Sequence, residues 1–126
     1  MKTNFISLYI NFMKEENNDK SSFKITEIGS GCFVLRTKND RGENMNLSHK
    51  VAQDFLQFHF CLKGQMNFKY NEGSYTFPLN EDHSMLLYNP AKELPIDVEL
   101  NPDTWLVSVL ISITEFHALF SSDADH

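Results

Sequence analysis

Basic residues are scarce in this sequence, and none of them cluster. The 11 lysines and arginines are spread from Lys2 to Lys92 without a run of neighbours, and the formal net charge is −6. No lysine or arginine follows Lys92. Because binding to the phosphates of nucleic acid needs clustered positive charge, we expect this chain to make no contact with duplex DNA by itself.

Cysteines and long apolar runs are also few. The two cysteines, Cys32 and Cys61, occur in a chain of 126 residues, and in a chain large enough for its own core we expect free buried thiols rather than a disulfide. The apolar stretch at residues 5–13 is interrupted by Ser7 and Asn11, and no small-residue cleavage site follows it. It therefore predicts neither a signal peptide nor a membrane span, and we expect a cytoplasmic protein.

The residue patterns of common catalytic sites are missing as well. No two of the five histidines stand at a metal-ligand spacing of i, i+2 or i, i+4, and neither a nucleophile elbow nor a glycine-rich phosphate loop occurs. Cys61 and His59 share a strand face, but residues two apart on a strand stand about 6.5–7 Å apart, beyond hydrogen-bond reach. We expect no enzymatic activity, no metal and no cofactor. The histidines are His49, His59, His83, His117 and His126.

Aromatic residues, by contrast, are abundant, with 11 phenylalanines and 13% aromatic content. Aromatic side chains bury large areas and favour strands, so one β-rich core is expected. Apolar segments at residues 24–28 and 32–38 flank Gly29-Ser30-Gly31, which predicts a hairpin. The polar residues 39–44 that follow predict an exposed loop.

The clearest strand pattern lies between residues 56 and 79. Apolar residues alternate with polar ones on both sides of Asn71-Glu72-Gly73, and period two around a glycine turn predicts an antiparallel hairpin. Residues 56–62 form a preceding strand that we expect to be buried on both faces. Further strands are predicted at residues 85–88, 96–100 and 105–111. Short strands at this spacing are typical of a β-sandwich or barrel.

A helix is predicted after the last strand. Ser112 and Glu115 stand at the spacing of a capping box, and the helix over residues 112–120 carries Phe116, Leu119 and Phe120 on one face. That face can cap the barrel or form a dimer interface. We predict one domain, with an N-terminal arm at residues 1–22, a barrel at 23–111 and the helix at 112–120.

Within residues 58–90, three motifs stand in a definite order: Leu62-Lys63-Gly64, then Asn71-Glu72-Gly73, then Leu86-Leu87-Tyr88-Asn89-Pro90. This run resembles the cupin core of the sensor domains of AraC-family transcriptional regulators, and the resemblance covers about half of the chain. It implies a cupin-type β-barrel, also called a jelly roll or double-stranded β-helix. It also implies an effector-binding or dimerisation domain, with the helix after the barrel supporting a homodimer.

The sequence departs from the cupin pattern at the metal site. Metal-dependent cupins place a His-X-His pair and a Glu before the Leu-X-Gly strand and a third His after the later proline. Here the Glu position is Gln57, and residues 51–53 and 91–93 contain no histidine. AraC-type regulators also continue into two helix-turn-helix units, which this chain does not contain. We expect DNA contact only through such a separate domain.

The resemblance places Gln57 inside the barrel, and strand alternation then places His59 and Cys61 on the same side. With Tyr88 and Trp105 they are predicted to line a pocket for a small, mostly apolar effector that forms one or two hydrogen bonds. A buried histidine with satisfied hydrogen bonds is the alternative for His59, and core packing is the alternative for Trp105.

Two other functions remain open. One is a metal-dependent cupin enzyme, an isomerase or dioxygenase. The other is a ligand-free dimerisation module, which a barrel interior packed solid with side chains would favour.

Overall fold

The computed structural model describes residues 21–70 and 72–124, and for residues 21 and 120–124 it describes the backbone only. The predicted arm at residues 1–22 therefore falls almost entirely outside the described residues, as does the side chain of Phe120. The described part contains nine strands and one helix: β1 (Ser21–Glu27), β2 (Cys32–Asn39), β3 (Met45–His49), β4 (Phe55–Lys63), β5 (Gln65–Tyr70), β6 (Tyr75–Asn80), β7 (Ser84–Leu87), β8 (Ile96–Leu100), β9 (Thr104–Ser112) and α1 (Ile113–Ala124).

The strands form two antiparallel sheets that face each other. One sheet has the order β1-β2-β9-β4-β7 and the other the order β3-β8-β5-β6. After each single strand or hairpin the chain crosses to the opposite sheet, which is the connectivity of a jelly roll. The predicted all-β class with a short C-terminal helix is confirmed.

Both predicted hairpins are present. β1 pairs with β2 in register along its whole length, and Ile28 N donates to Cys32 O at 2.8 Å to close the turn. β5 pairs with β6 from Gln65↔Asn80 to Tyr70↔Tyr75. In the second turn Gly73 has a φ of 88°, a conformation that favours glycine because other residues would place a Cβ against the backbone.

Asn39 corrects the prediction of an exposed loop at residues 39–44. It is the last residue of β2 and has no exposed surface. Its Nδ2 donates to the carbonyl oxygen of Leu100, the last residue of β8 in the opposite sheet, at 3.1 Å, and to that of the following Asn101 at 3.0 Å. The amide therefore ties the two sheets together. No local pattern shows this, because asparagine is also a common turn residue.

β3 is a strand in a stretch for which the sequence predicted none. Met45, Leu47 and His49 are half-buried and alternate with the exposed Asn46 and Ser48. The strand pairs with β8 from Met45↔Leu100 to His49↔Ile96. The period-two pattern is present but short, and its inward face ends in a histidine.

The main core lies between the two sheets. It combines inward residues of both sheets: Leu35, Val51, Cys61, Met66, Phe68, Leu79, Ile96, Val98, Leu100, Leu106 and Leu110. A second apolar cluster covers the opposite face of the five-stranded sheet, with Val34, Val107 and Val109 at its centre. In β4, residues 57, 59 and 61 are buried on the inward face and residues 58, 60 and 62 are half-buried on the outer face, which agrees with the burial on both faces predicted for residues 56–62.

Helix α1 begins where the sequence predicted a cap. Ser112 Oγ accepts a hydrogen bond from Glu115 N at 3.1 Å. Ser112 N donates to Gly31 O at 2.8 Å, so the reciprocal bond of a capping box is replaced by a contact to the first hairpin. The helix continues to Ala124, four residues beyond the predicted end. Among the described residues, no helix is long and apolar enough to cross a membrane.

Candidate functional site

Gln57, His59 and Cys61 point into the space between the sheets, as predicted. Their relative exposures are 1%, 0% and 1%. They face inward because side chains alternate along a strand, so every second residue of β4 points toward the opposite sheet.

His59 is the centre of a closed hydrogen-bond network. Its Nε2 lies 2.9 Å from Gln57 Oε1, and its Nδ1 lies 2.7 Å from Ser108 Oγ on β9. Gln57 Nε2 in turn donates to Leu94 O, in the segment before β8. Because the amide oxygen only accepts, Nε2 carries the imidazole proton and Nδ1 accepts from the Ser108 hydroxyl. The network links β4 and β9 to the segment before β8, and each side-chain nitrogen and oxygen of His59 and Gln57 has a partner.

The electrostatics agree with a structural role. Burial lowers the pKa of His59 to about 3, so the ring is neutral at physiological pH. The ring of Phe68 packs on it with a centroid separation of 4.6 Å. The ring has no exposed surface.

Cys61 is a buried thiol whose hydrogen bonds are made by its own turn. Its Sγ donates to the carbonyl oxygens of Lys63 and Gly64, both at 3.4 Å. Burial raises the pKa of the thiol to about 11. The protonated, satisfied thiol is not an activated nucleophile.

Tyr88 and Trp105 lie apart from the network. Tyr88 follows β7 and is 38% exposed. Trp105 belongs to the outer cluster, because on β9 the inward residues are Leu106 and Ser108. Its Nε1 donates to Asp40 Oδ1 at 2.7 Å. The five residues predicted to line one pocket are therefore in three places, and the packing role considered for Trp105 is the one its contacts favour.

A cavity of about 320 Å³ lies elsewhere, where β1 and β2 meet the segment between β3 and β4. Sequence reasoning missed it, since no motif marks it. The sequence did carry one signal for the cavity wall. Phe33 and Leu35 are two residues apart on β2, so they lie on the same face of the predicted hairpin. Its walls are apolar except for His49 and Lys50; the apolar residues are Ile25, Phe33, Leu35, Val51, Ala52, Phe55 and Leu110.

The polar end of this cavity is formed by the end of β3. The His49 ring lies 5.7 Å from the ring of Phe23, and its Nδ1 is buried without a hydrogen-bond partner among the described residues. Lys50 follows at the cavity rim and is exposed. A buried ring nitrogen without a partner costs free energy, which a ligand could recover.

The residues present do not fit a cupin metal site. Val51 has no donor atom, Gln53 Nε2 donates to Pro90 O at 2.6 Å, and the Gln57 amide is engaged on both sides. Across residues 21–70 and 72–124, no three of the His, Cys, Asp and Glu side chains lie close enough to hold one ion.

No protein-family model matches this chain, and no curated protein matches its sequence. Solved structures do match. An RmlC-like cupin protein from Desulfovibrio desulfuricans aligns over 88% of this chain and 96% of its own, with a TM-score of 0.61 and 12% identity. The chain has the cupin fold.

Two further cupin-fold matches come from regulators. The Cupin_2 domain of an XRE-family transcriptional regulator from Enterobacter cloacae aligns over 75% of this chain and 97% of its own, with a TM-score of 0.53 and 10% identity. An HTH_3-family transcriptional regulator from Vibrio cholerae aligns over 74% of this chain and 51% of its own, with a TM-score of 0.53 and 8% identity. At such identities the likeness concerns the fold, and the AraC-type relationship stays a prediction.

Proposed function

We propose that this chain is the ligand-binding domain of a transcriptional regulator, and that its ligand is a small, mostly apolar molecule. The observation that carries the proposal is the apolar cavity of about 320 Å³ beside Val51. Its volume lies at the lower end of the range for small-molecule sites. The proposal moves the ligand from His59, where the sequence suggested it, to the space between β2 and the residues after β3.

The physical reason for this choice is the difference in hydrogen bonding between two histidines. Both ring nitrogens of His59 have partners, so a ligand there would have to break existing bonds. His49 has a buried nitrogen without a partner among the described residues and stands at an apolar cavity. A ligand gains more at the second position than at the first.

The regulatory half of the proposal rests on relatedness of fold and on charge. Two of the matching structures belong to transcriptional regulators. The net charge of −6 and the scattered basic residues give this chain no basis for holding a DNA backbone. DNA contact is therefore assigned to a separate domain, and the cupin domain to sensing, without catalysis, in the cytoplasm.

We extend the proposal to a homodimer through helix α1. Leu119 is 42% exposed and Phe116 is half-buried. An apolar helix face at the end of a small barrel is suited to association.

A ligand-free dimerisation module is the second candidate, and the closely packed interior around His59 favours it. The two differ in what the cavity does. In an NMR titration with 1-octanol, a ligand-binding domain should show amide shifts concentrated at the cavity, at residues 33–35 and 49–55. A dimerisation module should show none that saturate.

Matched variants sharpen this test. Val51→Phe adds a ring at the cavity wall and should abolish the shifts, while Val107→Phe makes the same change on the outer face of β9 and should preserve them. Thermal unfolding of both variants checks that each is folded. Saturable shifts that persist in folded Val51→Phe would place the octanol elsewhere and refute the cavity assignment.

A further inference from the structure

Among the described residues, the polar end of the cavity consists of His49 and Lys50, and no carboxylate lines it. We propose that the cavity selects an amphiphilic anion, in which a hydrocarbon or aromatic body fills the apolar part and a single carboxylate meets Lys50 and His49. This inference rests on the proposed function, because it assigns the chemical class of the ligand for the same cavity.

The body of the ligand follows from the size and lining of the cavity. About 320 Å³ corresponds to roughly ten water molecules at their share of liquid volume, which is about 30 Å³ each. A body of about eight to ten carbon atoms is therefore the right size. Seven of the nine described lining residues are apolar. Their side chains cannot form a hydrogen bond with a second polar group on the body of the ligand.

The charge of the head group follows from Lys50. Lys50 lines the cavity, and its ammonium forms no ion pair with any described residue. No acidic side chain in the described part of the chain lines the cavity. Those nearest to its lining residues along the chain are Glu27, two residues after Ile25, and Asp54, directly before Phe55, and both are exposed. In a protein with a net charge of −6, a lysine next to an apolar wall provides a local attraction for an anion.

His49 supplies a second contact to the same head group. It precedes Lys50 and lines the same cavity, and its buried Nδ1 has no partner in the described part of the chain. The two orientations of the ring differ by a half-turn about the Cβ–Cγ bond, so either nitrogen can face a ligand. A carboxylate accepts from an imidazole N–H and from an ammonium simultaneously, and charge-assisted bonds of this kind are the stronger class.

The test compares three probes of equal chain length: octanoate, 1-octanol and octylammonium. Dissociation constants are measured by NMR titration at low salt, near pH 7. We expect octanoate to bind about tenfold more tightly than 1-octanol, and octylammonium to bind more weakly than either. The preference for octanoate should decrease as sodium chloride is raised, because Lys50 is exposed and its attraction is screened.

Two variants assign the effect to residues. Lys50→Met keeps the length of the side chain and removes its charge, so it should abolish the preference for octanoate and leave 1-octanol unchanged. Lys63→Met is the matched control; Lys63 ends β4, about 26 Å along the strand from Phe55, and should not matter. His49→Phe keeps the ring beside Phe23 and should weaken octanoate about threefold to tenfold.

The outcomes separate the two levels of the argument. If none of the three probes binds, the proposed function fails. If 1-octanol binds but octanoate binds no more tightly, or if Lys50→Met keeps the preference, the anion assignment is overturned and the apolar site stands.

Discussion

Acidification should destabilise this protein through His59, beginning at about pH 6.5. The ring is buried in the core and its two nitrogens are held by Ser108 and Gln57. A second proton would place a positive charge in an apolar interior, away from water. The folded state therefore keeps His59 neutral, with a pKa of about 3, compared with 6.5 in an unfolded chain.

These two pKa values give the sign and the size of the effect. Below pH 6.5 the unfolded chain takes up a proton that the folded chain refuses, so the stability contributed by this group is complete above pH 6.5 and decreases as the pH falls toward 3. The loss is about 1.4 kcal/mol per pH unit. At pH 4.5, two units below the unfolded pKa, the free energy of unfolding should be lower by about 3 kcal/mol.

Urea unfolding at pH 7.5, 6.5, 5.5 and 4.5 measures this loss. His59→Gln has no titratable group at this position, so its stability should change much less across the same interval, although it starts from a lower value. His83→Gln is the control, because His83 is exposed and its replacement should preserve the wild-type pH dependence. Parallel pH profiles for the wild type and His59→Gln would refute the reasoning.

Three further predictions concern the scaffold and its assembly. In Gly64→Ala the new Cβ would lie 2.3 Å from Thr104 Oγ1 at a φ of 83°, so we expect a loss of about 2–4 kcal/mol in urea unfolding, whereas Gly73→Ala, with nothing within 4 Å, should lose about 1 kcal/mol. Asn39→Ala leaves buried carbonyl oxygens without a donor and should cost about 2–4 kcal/mol, with Asn39→Asp at least as costly. Leu119→Glu should shift a dimer toward monomer in sedimentation velocity, and an unchanged sedimentation coefficient in a dimeric protein would place the interface elsewhere.

Local physics explains why much of the fold could be predicted from the sequence. Strand alternation depends on neighbouring residues, and it located β4, β5, β6, β8 and β9 to within about one residue at each end. The turn at Gly73 and the cap at Ser112 are likewise short-range features, since each depends on conformations or hydrogen bonds spanning about four residues. The resemblance to cupins placed Gln57 inside the barrel, and strand alternation then placed His59 and Cys61 on the same side.

Tertiary structure alone decided what those inward positions do. Whether an inward polar group meets a ligand or another side chain depends on the opposite strand, and Ser108, 49 residues after His59, closes the bond that commits it to the core. The same is true of Asn39, because its bonds to Leu100 and Asn101 join residues more than 60 positions apart. The cavity is the space left where β1, β2 and the residues after His49 meet, so its volume depends on the packing of segments distant in sequence. A sequence pattern specifies which side of a strand is apolar, but the empty space between two sheets exists only after they have packed.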